Sequence, residues 1–233
     1  MTAIEGATVL VTGGGRGLGK AFVDALYERG AKKVYATARD PRTVTHPDAE
    51  ALALESTDPA SVAAAAQRAQ DVTILINNAA GLIGASLLSG PLDDIRREFE
   101  VNFYGPLLAN RAFVPVIEGN GGGHILTVHS VLSWLPFGGS YSASKAALWS
   151  QTEALRLELR PRGINVTGLY VGYMDTDMAA NVDAAKSDPR AVARQALDGV
   201  AADASEVIAD DLTRLVKSQL SGDPVELYQR LGR

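Results

Sequence analysis

The chain has 233 residues, 46% hydrophobic and 21% charged, with 22 basic against 27 acidic side chains and a net charge of −5. That is enough chain for one core without covalent staples. The absence of cysteine excludes disulfides, thiol catalysis and Cys-ligated zinc or iron–sulfur centres, and the scattered basic residues argue against a nucleic-acid or anionic-membrane footprint.

Met1-Thr2-Ala3-Ile4-Glu5 lacks the basic-then-apolar pattern of a signal peptide, and no run of about 18 apolar residues follows, so a cytoplasmic protein outside the membrane is expected. Ala7–Thr12 predicts a buried strand, and 17–29 a helix. Lys33–Thr37 is a second strand, the two prolines in 39–49 mark a loop, and Ala51–Leu54 is a short strand. Pro59–Gln70 reads as a helix with Asp58 as N-cap and proline at its first position. Val72–Ile76 is a strand, Pro91–Glu118 a helix with an interruption, His124–His129 a strand, Ser140–Arg160 a long helix and Ile164–Tyr170 a strand. Helices over 188–201, 205–219 and 223–231 complete the chain.

Apolar strands alternating with helices imply a parallel sheet covered on both faces. Right-handed crossovers then give an α/β, single-domain Rossmann fold: a doubly wound sheet of six to seven strands in the order 3-2-1-4-5-6. One domain is expected over 1–233, with a substrate loop at about 173–200 and a helical tail at 205–233.

The 23 glycines gather at 13–19, 81–90, 119–123 and 138–139, where the backbone must turn sharply or approach a ligand. Thr12-Gly13-Gly14-Gly15-Arg16-Gly17-Leu18-Gly19 joins the first strand to the first helix. A helix N-terminus offers unpaired N–H groups and a positive dipole end to a pyrophosphate. In such a loop Gly13 takes the tight turn, Gly17 lets the backbone near the ligand, and Gly19 permits close helix–strand packing. At the end of the second strand a ribose 2′-hydroxyl wants a carboxylate and a 2′-phosphate wants an arginine. Here Ala38 is followed by Arg39, with Arg16 as a second cation, which favours NADP(H) over NAD(H); Asp40, one residue later, argues the other way. Tyr141 and Lys145 stand i and i+4 on one helix face. A nearby ammonium lowers the pKa of a tyrosine, ordinarily about 10, and a tyrosine so tuned can exchange a proton with a substrate oxygen.

These motifs follow one order: T-G-x-x-x-G-x-G at 12–19, N-N-A at 77–79, V-N at 101–102, a serine after the fifth strand, and Y-x-x-x-K at 141–145. The sequence resembles the short-chain dehydrogenases/reductases over roughly residues 5–180, as an NADP-preferring, carbonyl reductase-like member. The resemblance implies Tyr141 as general acid/base, Lys145 on the nicotinamide ribose, Ser130 on the substrate carbonyl and Asn102 behind a proton-relay water. It implies cofactor contacts from Gly13, Gly15, Arg16, Gly17, Leu18, Gly19 and Arg39, and from Glu55 and Ser56 on the adenine side. Asn78 and Ala79 are expected at the adenosine ribose. Gly172, Met174 and Thr176 are expected in the nicotinamide loop, with Tyr141 and Lys145 completing the site. Asn77 matches an asparagine that steadies the sheet.

Several positions depart from the family pattern. Asn77-Asn78-Ala79-Ala80-Gly81 replaces N-N-A-G, Glu55 replaces an aspartate, and Val171 replaces a proline and so loses a fixed φ. The stretch from Ser130 to Tyr141 is short, which makes Ser133 a rival for the catalytic serine. The usual last strand is missing, its place taken by helices. The substrate side is expected from 82–90, 131–138 and the segment after Thr176, with Trp134, Leu135, Phe137, Tyr173 and Met178 making it apolar. His129 is expected as a packing residue, and His46 and His124 have no partner at ligand spacing, so no metal is expected. Trp149 lies on the helix through which family members pair, which points to a homodimer or homotetramer. The implied activity is hydride transfer between a nicotinamide and a carbonyl or secondary alcohol. The alternatives are a non-enzymatic NADP-binding sensor or scaffold, and a non-redox reaction on the same fold.

Overall fold

Seven parallel strands form one sheet in the order β3-β2-β1-β4-β5-β6-β7: β1 (Thr8–Val11), β2 (Lys33–Ala38), β3 (Glu50–Ala53), β4 (Ile74–Asn77), β5 (Gly123–Val128), β6 (Ile164–Tyr170) and β7 (Glu206–Ile208). This computed structural model describes residues 1–232; Arg233, the last residue of the expected tail, lies outside the described residues. The central strands β1 and β4 are buried along their whole length, as strands covered on both faces must be. Val9, Val11, Ile74 and Ile76 point to one face. There they pack against α1 (Gly17–Glu28) and α6 (Pro189–Ala201). Leu10, Leu75, Ile125 and Val166 point to the other face, against α2 (Pro59–Arg68), α4 (Gly105–Gly119) and α5 (Ser140–Leu159).

The expected interruption in 91–118 is a π-helical turn, Glu100–Tyr104, between α3 (Leu92–Phe99) and α4. Such turns carry an extra residue and recur at functional sites; this one contains Asn102.

Two expectations require correction. The helix expected over 205–219 is instead β7 followed by α7 (Asp211–Ser218), so the tail is not wholly helical. Three half-buried residues are too few for a hydrophobic period to register. Their form is set by pairing with β6, where Gly168 N donates to Ser205 O (3.0 Å) and Ala209 N to Tyr170 O (2.9 Å). The expected substrate loop at 173–200 is also too long. Asp188 caps α6 at Arg190 N, and Val192, Ala193, Ala196 and Leu197 are buried against α1, so the loop ends at 188.

Helix α8 (Pro224–Arg230) returns to the segment after β5. Its Leu227 shares a small core with Val131, Leu135 and Val216. The tail thereby supports the loop that leads from Ser130 toward Tyr141.

Candidate active site

Every segment named in the cofactor reading lies beyond the C-terminal end of a strand, which in open parallel sheets is where ligands bind. The glycine loop has the shape a pyrophosphate requires. Gly13 sits at φ +68°, and a Cβ on Gly19 would lie 1.9 Å from Gly13 O, so no other residue fits there. No side chain caps α1, which leaves its first N–H groups for an anion. Leu18 buries its side chain in the core and can offer only its backbone. Asn78 braces the loop, donating from Nδ2 to Thr12 O (2.9 Å) and Gly13 O (3.2 Å). Thr12 Oγ1 accepts from Asn78 N and Ala79 N. Asn77, at the end of β4, donates from Nδ2 to Asn110 Oδ1 of α4 (2.8 Å), a buried bond between sheet and helix.

At the tip of β2, Arg39 is exposed. Asp40 is held bidentately by Arg42, at 2.8 Å to each carboxylate oxygen, and this pairing lowers its pKa. The acid that argued against a 2′-phosphate is thus already countered. Arg16 is exposed and lies 3.4 Å from Asp177, which joins the glycine loop to the segment after Thr176. Thr176 lies over the same loop, with its Cγ2 3.3 Å from where a Gly17 Cβ would be. Gly172 N is already committed, donating to Asp210 Oδ2 (2.7 Å). Val171 is anchored without a proline because Val131 N donates to its carbonyl (3.0 Å). Met174 packs against the core. On the adenine side, Glu55 turns back onto Thr57, while Ser56 lines a small cavity with Thr12, Asn77 and Ala79.

The reactive groups gather at the start of α5. Tyr141 is buried, and burial raises its phenol to a pKa of about 12 despite the adjacent Ser130 hydroxyl, which acts in the opposite sense. Lys145 is also buried, and its ammonium is depressed to about 8 by loss of solvent. Its Nζ lies 5.8 Å from the Tyr141 ring centroid. The lowered tyrosine pKa expected from a neighbouring lysine is therefore not found, because exclusion of water from both groups dominates. Lys145 Nζ donates to Val128 O (2.9 Å), its one acceptor among the described residues, and an ammonium has three N–H groups. Two buried donors remain for a ligand, which fits ribose hydroxyls.

Ser130 caps a short turn, its Oγ accepting from Leu132 N (3.1 Å). Ser133 Oγ accepts from Ser130 N (3.4 Å). Of the two serines, Ser130 is the one beside Tyr141. Asn102 Nδ2 donates to Gly81 O and Ser144 Oγ, both at 3.0 Å, and its Oδ1 accepts from Gly81 N (2.9 Å).

Of the five expected apolar pocket residues, Leu135 is buried and Trp134 half-buried. Trp134 stacks on Tyr170 at 4.4 Å and meets Trp149 edge-on at 6.5 Å, while Leu135 packs against Val216 and Leu227. Trp149 is half-buried, one edge of its ring against Trp134. Phe137, Tyr173 and Met178 are exposed. His129 is buried and stacked on Tyr170 at 4.7 Å, with its pKa driven down by burial, as a packing residue would be. Two site residues carry no sequence motif. One is Asp210, which ties Gly172 to the start of α7; the other is Glu98, a buried carboxylate on α3.

Residues 7–187 match the family model for short chain dehydrogenase. A solved short chain dehydrogenase from Burkholderia cenocepacia, in complex with NADP, superposes with a TM-score of 0.93 at 37% identity over 99% of both chains. The ketoacyl reductase HetN of Nostoc is 30% identical over 99% of this chain and 90% of its own length. An NADPH-dependent 1-acyldihydroxyacetone phosphate reductase of Schizosaccharomyces pombe is 34% identical over 72% of this chain, a match that spans 60% of that relative.

Proposed function

We infer, from the premise that the chain belongs to the short-chain dehydrogenase family, that it is an NADP(H)-dependent oxidoreductase acting as a carbonyl reductase or alcohol dehydrogenase. Its substrate is an apolar or aromatic ketone, aldehyde or secondary alcohol. The observation that carries this reading is the convergence of Tyr141 and Ser130 beside a buried lysine with two N–H groups to spare. The exposed cations near the glycine loop, the countered Asp40 and the NADP and NADPH of two similar proteins support the cofactor preference.

When bound, the nicotinamide supplies or accepts the hydride. The N-terminus of α1 and the glycine loop hold the pyrophosphate, Arg39 meets the 2′-phosphate, and Lys145 holds the nicotinamide ribose. In the reductive direction Ser130 donates a hydrogen bond to the substrate carbonyl, and Tyr141 gives its proton to the developing alkoxide. Donors aimed at that oxygen stabilise charge where it forms. A phenol at about 12 is protonated near neutrality, which suits an acid, and the buried Lys145 ammonium beside it is the chain's own group that would support its reprotonation. Specificity comes from loops 82–90 and 173–188, with Phe137, Tyr173 and Met178 at the opening. A cytoplasmic location and a homodimer or homotetramer complete the proposal. Tyr104 and Leu157, exposed on the flanking turn and on α5, support the pairing surface.

The test is a panel of ketones and aldehydes followed by NADPH absorbance. Oxidation of NADPH with an apolar carbonyl is the expected result. Tight NADPH binding without turnover of any substrate favours a sensor instead.

A further inference from the structure

Glu98 is about 1% exposed, and no cation pairs with it among the described residues. A buried carboxylate without a counter-ion is costly unless hydrogen bonds hold it. Three groups do so. Ile83 N donates to Oε1 (2.6 Å), Gly84 N to both oxygens (3.2 and 3.1 Å), and the Ser140 hydroxyl to Oε2. Ser140 in turn exchanges bonds with Ala85: Ala85 N donates to Ser140 Oγ (2.9 Å) and Ser140 N to Ala85 O (3.0 Å). Segment 83–85 is thereby fastened to the residue that precedes Tyr141.

Asn102 repeats the arrangement one turn later. It joins Gly81 to Ser144, the residue before Lys145. Glu98 and Asn102 are four residues apart, as are Ser140 and Ser144, so two rungs cross between the helices, one behind each reactive side chain. The Glu98 charge also reaches the tyrosine, where it opposes the phenolate.

Resting on the oxidoreductase reading above, we propose that Glu98 is a positioning residue for Tyr141: through Ser140 it locks the 83–85 segment of the substrate wall to the head of α5, so that the phenol and the bound carbonyl keep one relative placement. The glycine cradle takes no part in this clamp, and Glu98 bonds neither Tyr141 nor Lys145 directly, so NADPH affinity should change little when the clamp is cut.

The experiment compares Glu98→Ala, Glu98→Gln and Ser140→Ala with the wild type. It measures carbonyl kcat and KM per NADPH-binding site, NADPH affinity, and hydrogen exchange at the amides of 83–85. In Glu98→Ala those amides should exchange about tenfold faster or more. The kcat/KM should fall about 10- to 100-fold, the scale expected of a small misplacement, with NADPH affinity retained. Glu98→Gln keeps an acceptor for the two backbone amides and a polar group facing Ser140, and should recover most of the activity. Ser140→Ala, the smaller change, should show the same defect at reduced size. Unchanged kcat/KM in Glu98→Ala and Ser140→Ala overturns the proposal, as does a parallel loss of NADPH affinity or unchanged exchange at 83–85. If Glu98→Ala does not fold, Ser140→Ala decides. A failure of the oxidoreductase reading looks different: the wild type itself then turns over no carbonyl, while the exchange measurement still reads the clamp.

Discussion

The two ends of the site are built by different means. The glycine loop and the tips of β1 and β4 present backbone to a ligand, with Gly13 and Gly19 in close main-chain contact and the loop braced by the Thr12 and Asn78 side chains bonding to backbone. The substrate end, around the head of α5, is made of buried polar side chains: Glu98, Asn102, Ser130, Ser140, Tyr141 and Lys145. In the proposed function the cradle binds a fixed ligand by shape and dipole, and the other end places and moves a proton. That second end holds titratable groups away from water, where their pKa values depart from the ordinary. Binding and chemistry should therefore separate on mutation.

The sharpest break is Tyr141→Phe. It should lower kcat by about 10²-fold or more, the usual size of a general-acid effect, while NADPH binding, followed by fluorescence, stays as it was. A near-normal rate would end the acid role. Ser130→Ala should cost about 10²-fold in kcat, the scale of a lost oxyanion donor. Ser133→Ala should cost far less, since Ser133 acts on Ser130 N rather than on the substrate side; a steady-state comparison of the two decides the assignment. On the cradle side, Arg39→Asp should raise KM for NADPH about tenfold more than KM for NADH, the value of one charged contact. Kinetics with both cofactors measure it, and a wild type that prefers NADH would refute the argument.

The smallest effect is on stability. Lys145 has its folded pKa lowered from 10.5 to about 8. The unfolded chain therefore binds more protons between those values, and stability rises with pH from about 8 to 10.5. Below pH 8 the full cost of the buried ammonium is present. Lys145→Met should consequently be more stable than the wild type at pH 7, by about 1–3 kcal/mol, with the gap closing toward pH 10.5 in thermal melts. The same variant should have lost activity.

The contrast also explains which parts of the site were readable from residue order. The glycine loop occupies 12–19 and the reactive pair 141–145, each short enough for spacing alone to place it on a known strand, turn or helix. Glu98 was not readable: Ser140 lies 42 residues away and Ile83 15, and a glutamate in a charged helical stretch looks like a solvated face. Asp210 was hidden for the same reason, since its Gly172 contact spans 38 residues. Trp134, an aromatic close in sequence to Ser130, looks like a lining residue, but its packing on Tyr170 and Trp149 spans 36 and 15 residues of chain and is invisible to local pattern. β7 escaped because an edge strand of three residues takes its form from β6.

Local patterning decided the alternation of strand and helix, the phosphate loop and the i, i+4 tyrosine and lysine, because each depends on contacts within a few residues. Tertiary packing alone decided the burial of Tyr141 and Lys145, the placing of Ser130 beside Tyr141 and the hydrogen bonds gathered on Glu98. Those properties follow from exclusion of water and from which distant groups are brought within hydrogen-bonding distance, and neither exists until the chain has folded.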